Sequence, residues 1–196
     1  MKSRVLKWSL YSGIALISAV VVLGFVWFRN LRNVHRHCIK VAGSAFRDYA
    51  EAHGGTLPFH TNGFGDAMLL LVKEQQLPGV AWICGPGDDG TVLSNALVHG
   101  LDVPEAQCSR VYVQGLSETN DPAICILFDR RSVPGGDHFY GSGRPIRELC
   151  MLDGIMETVT DEQWPAFCRR QVELLVAAGW TRKQAEEYYP EVVSRK

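Results

Sequence analysis

From Trp8 to Phe28 the chain runs for twenty-one residues without a charge, WSLYSGIALISAVVVLGFVWF, and this segment limits every fold the rest can adopt. As a helix it is about 30 Å long, the thickness of the hydrocarbon layer of a bilayer. Trp8 and Tyr11 stand at one end and Trp27 and Phe28 at the other, where amphipathic rings favour the headgroup region. Lys2, Arg4 and Lys7 precede the run, and Arg29, Arg32 and Arg36 follow it. A cleaved signal peptide has a shorter apolar core and a small-x-small site after it, which Arg29-Asn30 does not supply. The sequence therefore predicts a basic cytoplasmic segment over 1–7 and a retained transmembrane helix over 8–28.

Charge is sorted along the chain. Residues 1–40 carry seven Lys/Arg and no Asp/Glu, whereas residues 41–196 carry 13 Lys/Arg against 21 Asp/Glu, a net −8. An acidic body disfavours a nucleic-acid partner, and the local basic residues fit the edges of a lipid bilayer instead. Three Lys/Arg before the span and four after it leave the positive-inside rule nearly tied. The long polar body then sets the expectation, because large domains translocate largely regardless of charge: N-terminus in the cytoplasm, body outside it.

Beyond the span, Val34, Cys38, Val41, Ala45 and Tyr49, with Ala42 and Phe46 beside them, recur at helical spacing. No proline interrupts them, so one helix is expected to run from the anchor through a stalk over 29–53 and to stop at Gly54-Gly55. A shorter helix is expected from Asp66 to Glu74, ended by Leu77-Pro78-Gly79. The pattern then changes to short apolar runs: VAWIC (80–84), RVYV (110–113), AICILF (123–128), RELCML (147–152) and IMETVT (155–160), all expected as strands. Asp153-Gly154 between the last two predicts a type I′ hairpin with Leu152 opposite Ile155 and Cys150 opposite Glu157. Loops rich in turn formers, CGPGDDG (84–90) and VPGGDHFYGSG (133–143), separate the strands. Two capping boxes, Thr160–Gln163 and Thr181–Gln184, open helices in a C-terminal extension over 161–196. Helix, strands, helix without βαβ alternation is an α+β class with a mainly antiparallel sheet over 54–160.

Four strings in this order resemble the pilin-like proteins of the type II secretion pseudopilin G group, and within it the bacterial H-X9-DG subgroup. They are Cys38–Ala50 with His53-Gly-Gly-Thr-Leu-Pro58; Trp82-Ile-Cys-Gly-Pro-Gly-Asp88; Ser109–Leu116 with Asp121-Pro122; and His138 with Arg147–Gly154. The resemblance covers roughly residues 8–160, on the spread of those motifs. It implies a pilin-like domain over 29–160, a long helix packed on a small antiparallel sheet, and a body outside the bacterial inner membrane. It further implies a structural or minor part in a secretion or pilus-like assembly, with secretion-system proteins or further copies of the chain as partners. The span lacks the glutamate that opens it in such pilins, 14 residues separate His138 from Asp153-Gly154, and Ile155 stands where the group often has His. A glutamate in lipid survives where it has a partner, and its absence removes one contact that fibre assembly uses.

Several residues are candidates for chemistry. Asp88 and Asp89 offer oxygen ligands on a tight loop, and a calcium ion there would need further oxygens from elsewhere, since calcium takes six to eight. An anchored binding module, holding calcium or a peptide in the Gly-rich loops without polymerising, is the alternative function. His35 and Cys38 share a helix face while His37 points elsewhere, which fits a basic helix at the headgroups better than a metal site. Ser142 and His138 are near in sequence, but Gly141-Ser142-Gly143 lacks the strand–elbow–helix setting of a hydrolase serine. No P-loop, dinucleotide fingerprint or His-Glu-x-x-His is present, and a non-enzymatic protein without a resident cofactor is expected. Cys84 and Cys108 stand at strand boundaries, and a disulfide closing the 23 residues between them would contribute about 3–4 kcal/mol in the chain-entropy model.

Overall fold

The computed structural model describes residues 17–26, 39–85, 88–134 and 145–190. Residues 17–26 are helical, and their side chains are exposed on every side, Ile17, Val21 and Phe25 among them. The rest of the predicted span, and the link over 29–38 that would join it to the stalk, lie outside the described residues. Among the described residues no helix is long and apolar enough to cross a membrane.

Helix α1 covers 39–52. Its buried positions, Ile39, Ala42, Gly43, Ala45, Phe46, Tyr49 and Ala50, follow the three-and-four spacing of a single face. The helix closes with Gly55 N–H donating to the Ala50 carbonyl at 2.7 Å, a six-to-one bond that needs the positive φ of Gly54 (64°) and Gly55 (85°). Helix α2, Phe64–Lys73, buries Phe64, Ala67, Met68, Leu69 and Leu71.

The predicted strand at 80–84 is instead a 3-10 turn, Val80–Trp82. Flanked by Gly79 and Gly85, the run closes local bonds, Trp82 to Gly79 and Ile83 to Val80, before any ladder partner is reached. Helix α3, Gly90–His99, follows, capped by the Asp89 carboxylate and stopped by Gly100 at φ 106°. It stands in a stretch the sequence left without an element.

The sheet is antiparallel throughout, with strands β1 (Arg110–Tyr112), β2 (Cys125–Asp129), β3 (Val133–Pro134), β4 (Pro145–Met151) and β5 (Met156–Thr160). β4 is central. Its one edge carries β2 and, past a bend, β3, while β5 takes its other edge and β1 pairs on the far side of β2. The molecule is thus α+β, as the sequence predicts.

The β4–β5 hairpin corrects the predicted register by one residue: Cys150 pairs with Met156 and Leu149 with Glu157. Among the residues of the turn only Gly154 has a positive φ, 84°. The loop is therefore Leu152-Asp153-Gly154, three residues rather than two, with Gly154 N–H on the Met151 carbonyl and the Asp153 carboxylate on the Ile155 N–H. A type I turn followed by a left-handed glycine accommodates the extra residue, and the slip exchanges the faces of β5.

Helices α4 (Trp164–Ala177) and α5 (Arg182–Tyr188) close the chain. The Thr181–Gln184 capping box forms. At Thr160–Gln163 the reciprocal bonds also form, but they frame a turn ahead of α4. α1 and the C-terminal pair lie on opposite faces of the sheet. Tyr112 and Cys150, at like-facing positions, meet α1, whereas Phe128 and Arg147 meet Trp164 of α4. Tyr189, just past α5, also stacks on Phe128 at 5.1 Å. Gln171 ties α4 to the start of β2, accepting from Cys125 N–H at 2.9 Å and donating to the Ala123 carbonyl at 3.0 Å.

Candidate functional site: the helix–sheet seam and the acidic loop

The surface that holds α1 is built from small residues facing strand side chains. Gly43 sits over β4, so close that a Cβ there would lie 2.6 Å from Cys150 Sγ. Three residues on, Phe46 stacks on Tyr112 of β1, centroids 4.5 Å apart and planes at 13°. Burial of each such ring contributes about 1.5–3 kcal/mol. The Tyr112 hydroxyl donates to the Pro58 carbonyl at 2.8 Å, and burial holds its phenol well above the ordinary range. At the outer end Arg47 Nη2 donates to the carbonyl of Asp153 at 2.7 Å. Tyr49 stacks on His53 at 3.8 Å, and His53 Nε2 lies 3.1 Å from Glu74 Oε2 beyond α2.

Charged residues sit in the sheet beneath. Arg110 and Asp129 are fully buried cross-strand neighbours, with Arg110 Nε 3.4 Å from Asp129 Oδ1. The other Asp129 oxygen accepts from Glu148 N–H at 3.1 Å. On the opposite face Arg147 lies 4.4 Å from the Trp164 ring centre and donates to Asp161 Oδ1 at 3.2 Å and to the Arg130 carbonyl. Burial pulls its pKa down, and Asp161 opposes that pull. Sequence reasoning missed these residues; the available signal was a charged residue inside an apolar strand, as in SRVYV and IRELCM.

The acidic loop is engaged by backbone donors. Asp88 accepts from Gly85 N–H at 2.6 Å through one oxygen and from Ser109 N–H at 2.5 Å through the other, which fastens the loop to the start of β1. Asp89 accepts from Thr91 N–H at 2.9 Å as the cap of α3. Adjacent in sequence, the two carboxylates therefore serve different elements. Asp66, also missed, is buried on α2 and holds Val103 N–H and Asn62 Nδ2 at 2.9 Å each.

The expected Cys84–Cys108 disulfide is not formed. Cys108 is a buried thiol whose sulfur lies against Gly65 of α2, whereas the Cys84 sulfur lies toward Gly90 of α3, so the two point at different helices. Burial, reinforced by Asp88, pushes the Cys108 pKa up to about 12. Of the motif residues, Asp153 and Gly154 form the hairpin tip that α1 grips, while His138 lies outside the described residues, as do Ser142, His35, His37 and Cys38. Comparison with protein-family models, curated proteins and solved structures finds no match to this chain.

Proposed function

We propose that this protein is a single-pass anchor of the bacterial inner membrane whose extracytoplasmic, pilin-like body serves as a structural or minor component of a secretion or pilus-like assembly. The observation that carries the proposal is the seam. A scaffold of this kind needs a stalk that follows the anchor in sequence and is fixed rigidly to the body. α1 is fixed at Gly43 against Cys150, at Phe46 against Tyr112 and at Arg47 against Asp153. The described part of the apolar run adds support: a helix exposed on every side, and apolar but for Ser18, is a surface that lipid covers. The role is mechanical, with no chemical step. Asp88 and Asp89, each held by backbone N–H groups, act in this reading as loop fasteners rather than calcium ligands.

Topology is tested with protease added to spheroplasts carrying an N-terminal tag. The body is degraded and the tag spared if the proposal holds, and protection of the body overturns it. Assembly is tested by crosslinking in intact cells. Ladders of the chain, or capture of secretion components, are expected, and a monomer alone refutes the assembly role.

A further inference from the structure

An open groove of about 420 Å³ lies between the segment around Phe59, the loop after β1 and the turn joining α4 to α5, and the scaffold role makes no use of it. Its walls are aromatic. Phe59 is 55% exposed, although nothing about its loop requires an apolar side chain in water. Trp180 and Tyr188 are half-buried and meet edge to face, centroids 5.5 Å apart. Gln114 lines the groove together with Tyr188, and burial pushes the Tyr188 phenol up while Gln114 draws it back down. The Gln114 carboxamide oxygen accepts from His60 N–H at 3.1 Å, so the loop after β1 is tied to the segment that carries Phe59. Trp180 lies over Gly115, where a Cβ would approach its ring to 3.5 Å.

The polar groups at the groove are of a particular kind. Gln184 uses its carboxamide oxygen on the Thr181 N–H and hydroxyl, at 3.1 and 2.7 Å, which leaves two N–H donors to offer. Glu187 is exposed and offers acceptors only. Among the described residues no Lys or Arg lines the groove.

We propose that this groove binds a neutral saccharide chain. A pyranose presents an apolar C–H face that lies flat on an aromatic ring, and an edge of hydroxyls that both donate and accept. Phe59, Trp180 and Tyr188 supply the rings, Gln184 donates and Glu187 accepts. The Glu187 carboxylate, with no cation among the described lining residues, repels phosphate- or carboxylate-bearing ligands. A proline-rich helix also docks on aromatic grooves, but proline has no N–H and gives Glu187 nothing to accept. The volume falls in the range of small-ligand sites. The inference stands on the groove alone and does not depend on the membrane anchor or on assembly.

The test uses the full chain in phospholipid nanodiscs, free of sugar-headed detergents. Binding is measured by calorimetry against tetrasaccharides of β-1,4-linked glucose, mannose, xylose and N-acetylglucosamine, of β-1,3-linked glucose, and against a polyproline peptide. At least one tetrasaccharide is expected to bind, and Phe59→Ala and Glu187→Gln, both at exposed side chains, are expected to weaken it about tenfold or more with unchanged Tm. Trp180→Phe, which keeps a ring, is expected to lose less than Trp180→Ala. Failure of every saccharide to bind, binding that both exposed-site variants leave intact, or binding of polyproline alone overturns the proposal.

Discussion

Arg47 on α1 donates to the carbonyl oxygen of Asp153 at 2.7 Å, and the same guanidinium occupies the space that a side chain at Gly154 would need. One contact thus couples α1 to a turn 106 residues away in sequence. Gly154→Ala is expected to destabilise by about 1–2 kcal/mol through its left-handed backbone, with a further clash against Arg47. Arg47→Ala removes the clash and one exposed hydrogen bond, costing about 0.5–1.5 kcal/mol. Urea unfolding of the two single variants and the double variant checks that the penalties overlap rather than add.

Gly43→Ala distinguishes packing from propensity. In a free helix the change is worth about 1 kcal/mol of stabilisation. Here the new methyl would sit 2.6 Å from Cys150 Sγ, and a net loss of about 1–3 kcal/mol is expected. Adding Cys150→Ala opens the space, so the double variant should recover part of that loss, with a coupling of about 0.5–3 kcal/mol in the mutant cycle.

Gln171 is fully buried and satisfies the first N–H of β2, at Cys125, and the Ala123 carbonyl just before the strand. Gln171→Leu fills the volume but strands both groups, at about 1–3 kcal/mol each. Faster amide exchange at Cys125, seen by NMR or mass spectrometry, is expected together with a lowered Tm.

Two buried thiols predict an alkaline limit to stability. Burial raises Cys108 to about 12 and Cys150 to about 11, against an ordinary 9.0. Between pH 9 and those values the folded protein keeps protons that the unfolded chain has released, so stability is full below pH 9 and falls as pH rises through 11 and 12. Denaturation midpoints measured across that range check the sign. At pH 8 both thiols should resist iodoacetamide in the native protein and react once it is unfolded.

Periodic features were legible in the sequence and pairings were not. The stripe through Ala45, Phe46 and Tyr49 and the runs of β1, β2, β4 and β5 announce themselves by local spacing. α3 does not, because GTVLSNALVH buries only Leu93 and offers no stripe. Asp153-Gly154 marks a turn without fixing its length: the dipeptide serves a two-residue and a three-residue loop, and here only its glycine needs a positive φ. The seam was visible from the helix side alone, since Cys150 and Tyr112 become its partners only through the sheet. The Arg110–Asp129 pair and the aromatic groove are assembled from segments far apart along the chain, where no local pattern joins them.

The course of α1 along the sheet has a mechanical consequence. Positions 43 and 47 advance beside 150 and 153, so helix and strand run alongside each other in the same sense. A tug delivered through a tether at the start of α1 would load the glycine–sulfur contact, the stacked rings and the guanidinium clasp together, in shear. Contacts that share tension in this way yield as a set, at higher force than a zipper opened tooth by tooth.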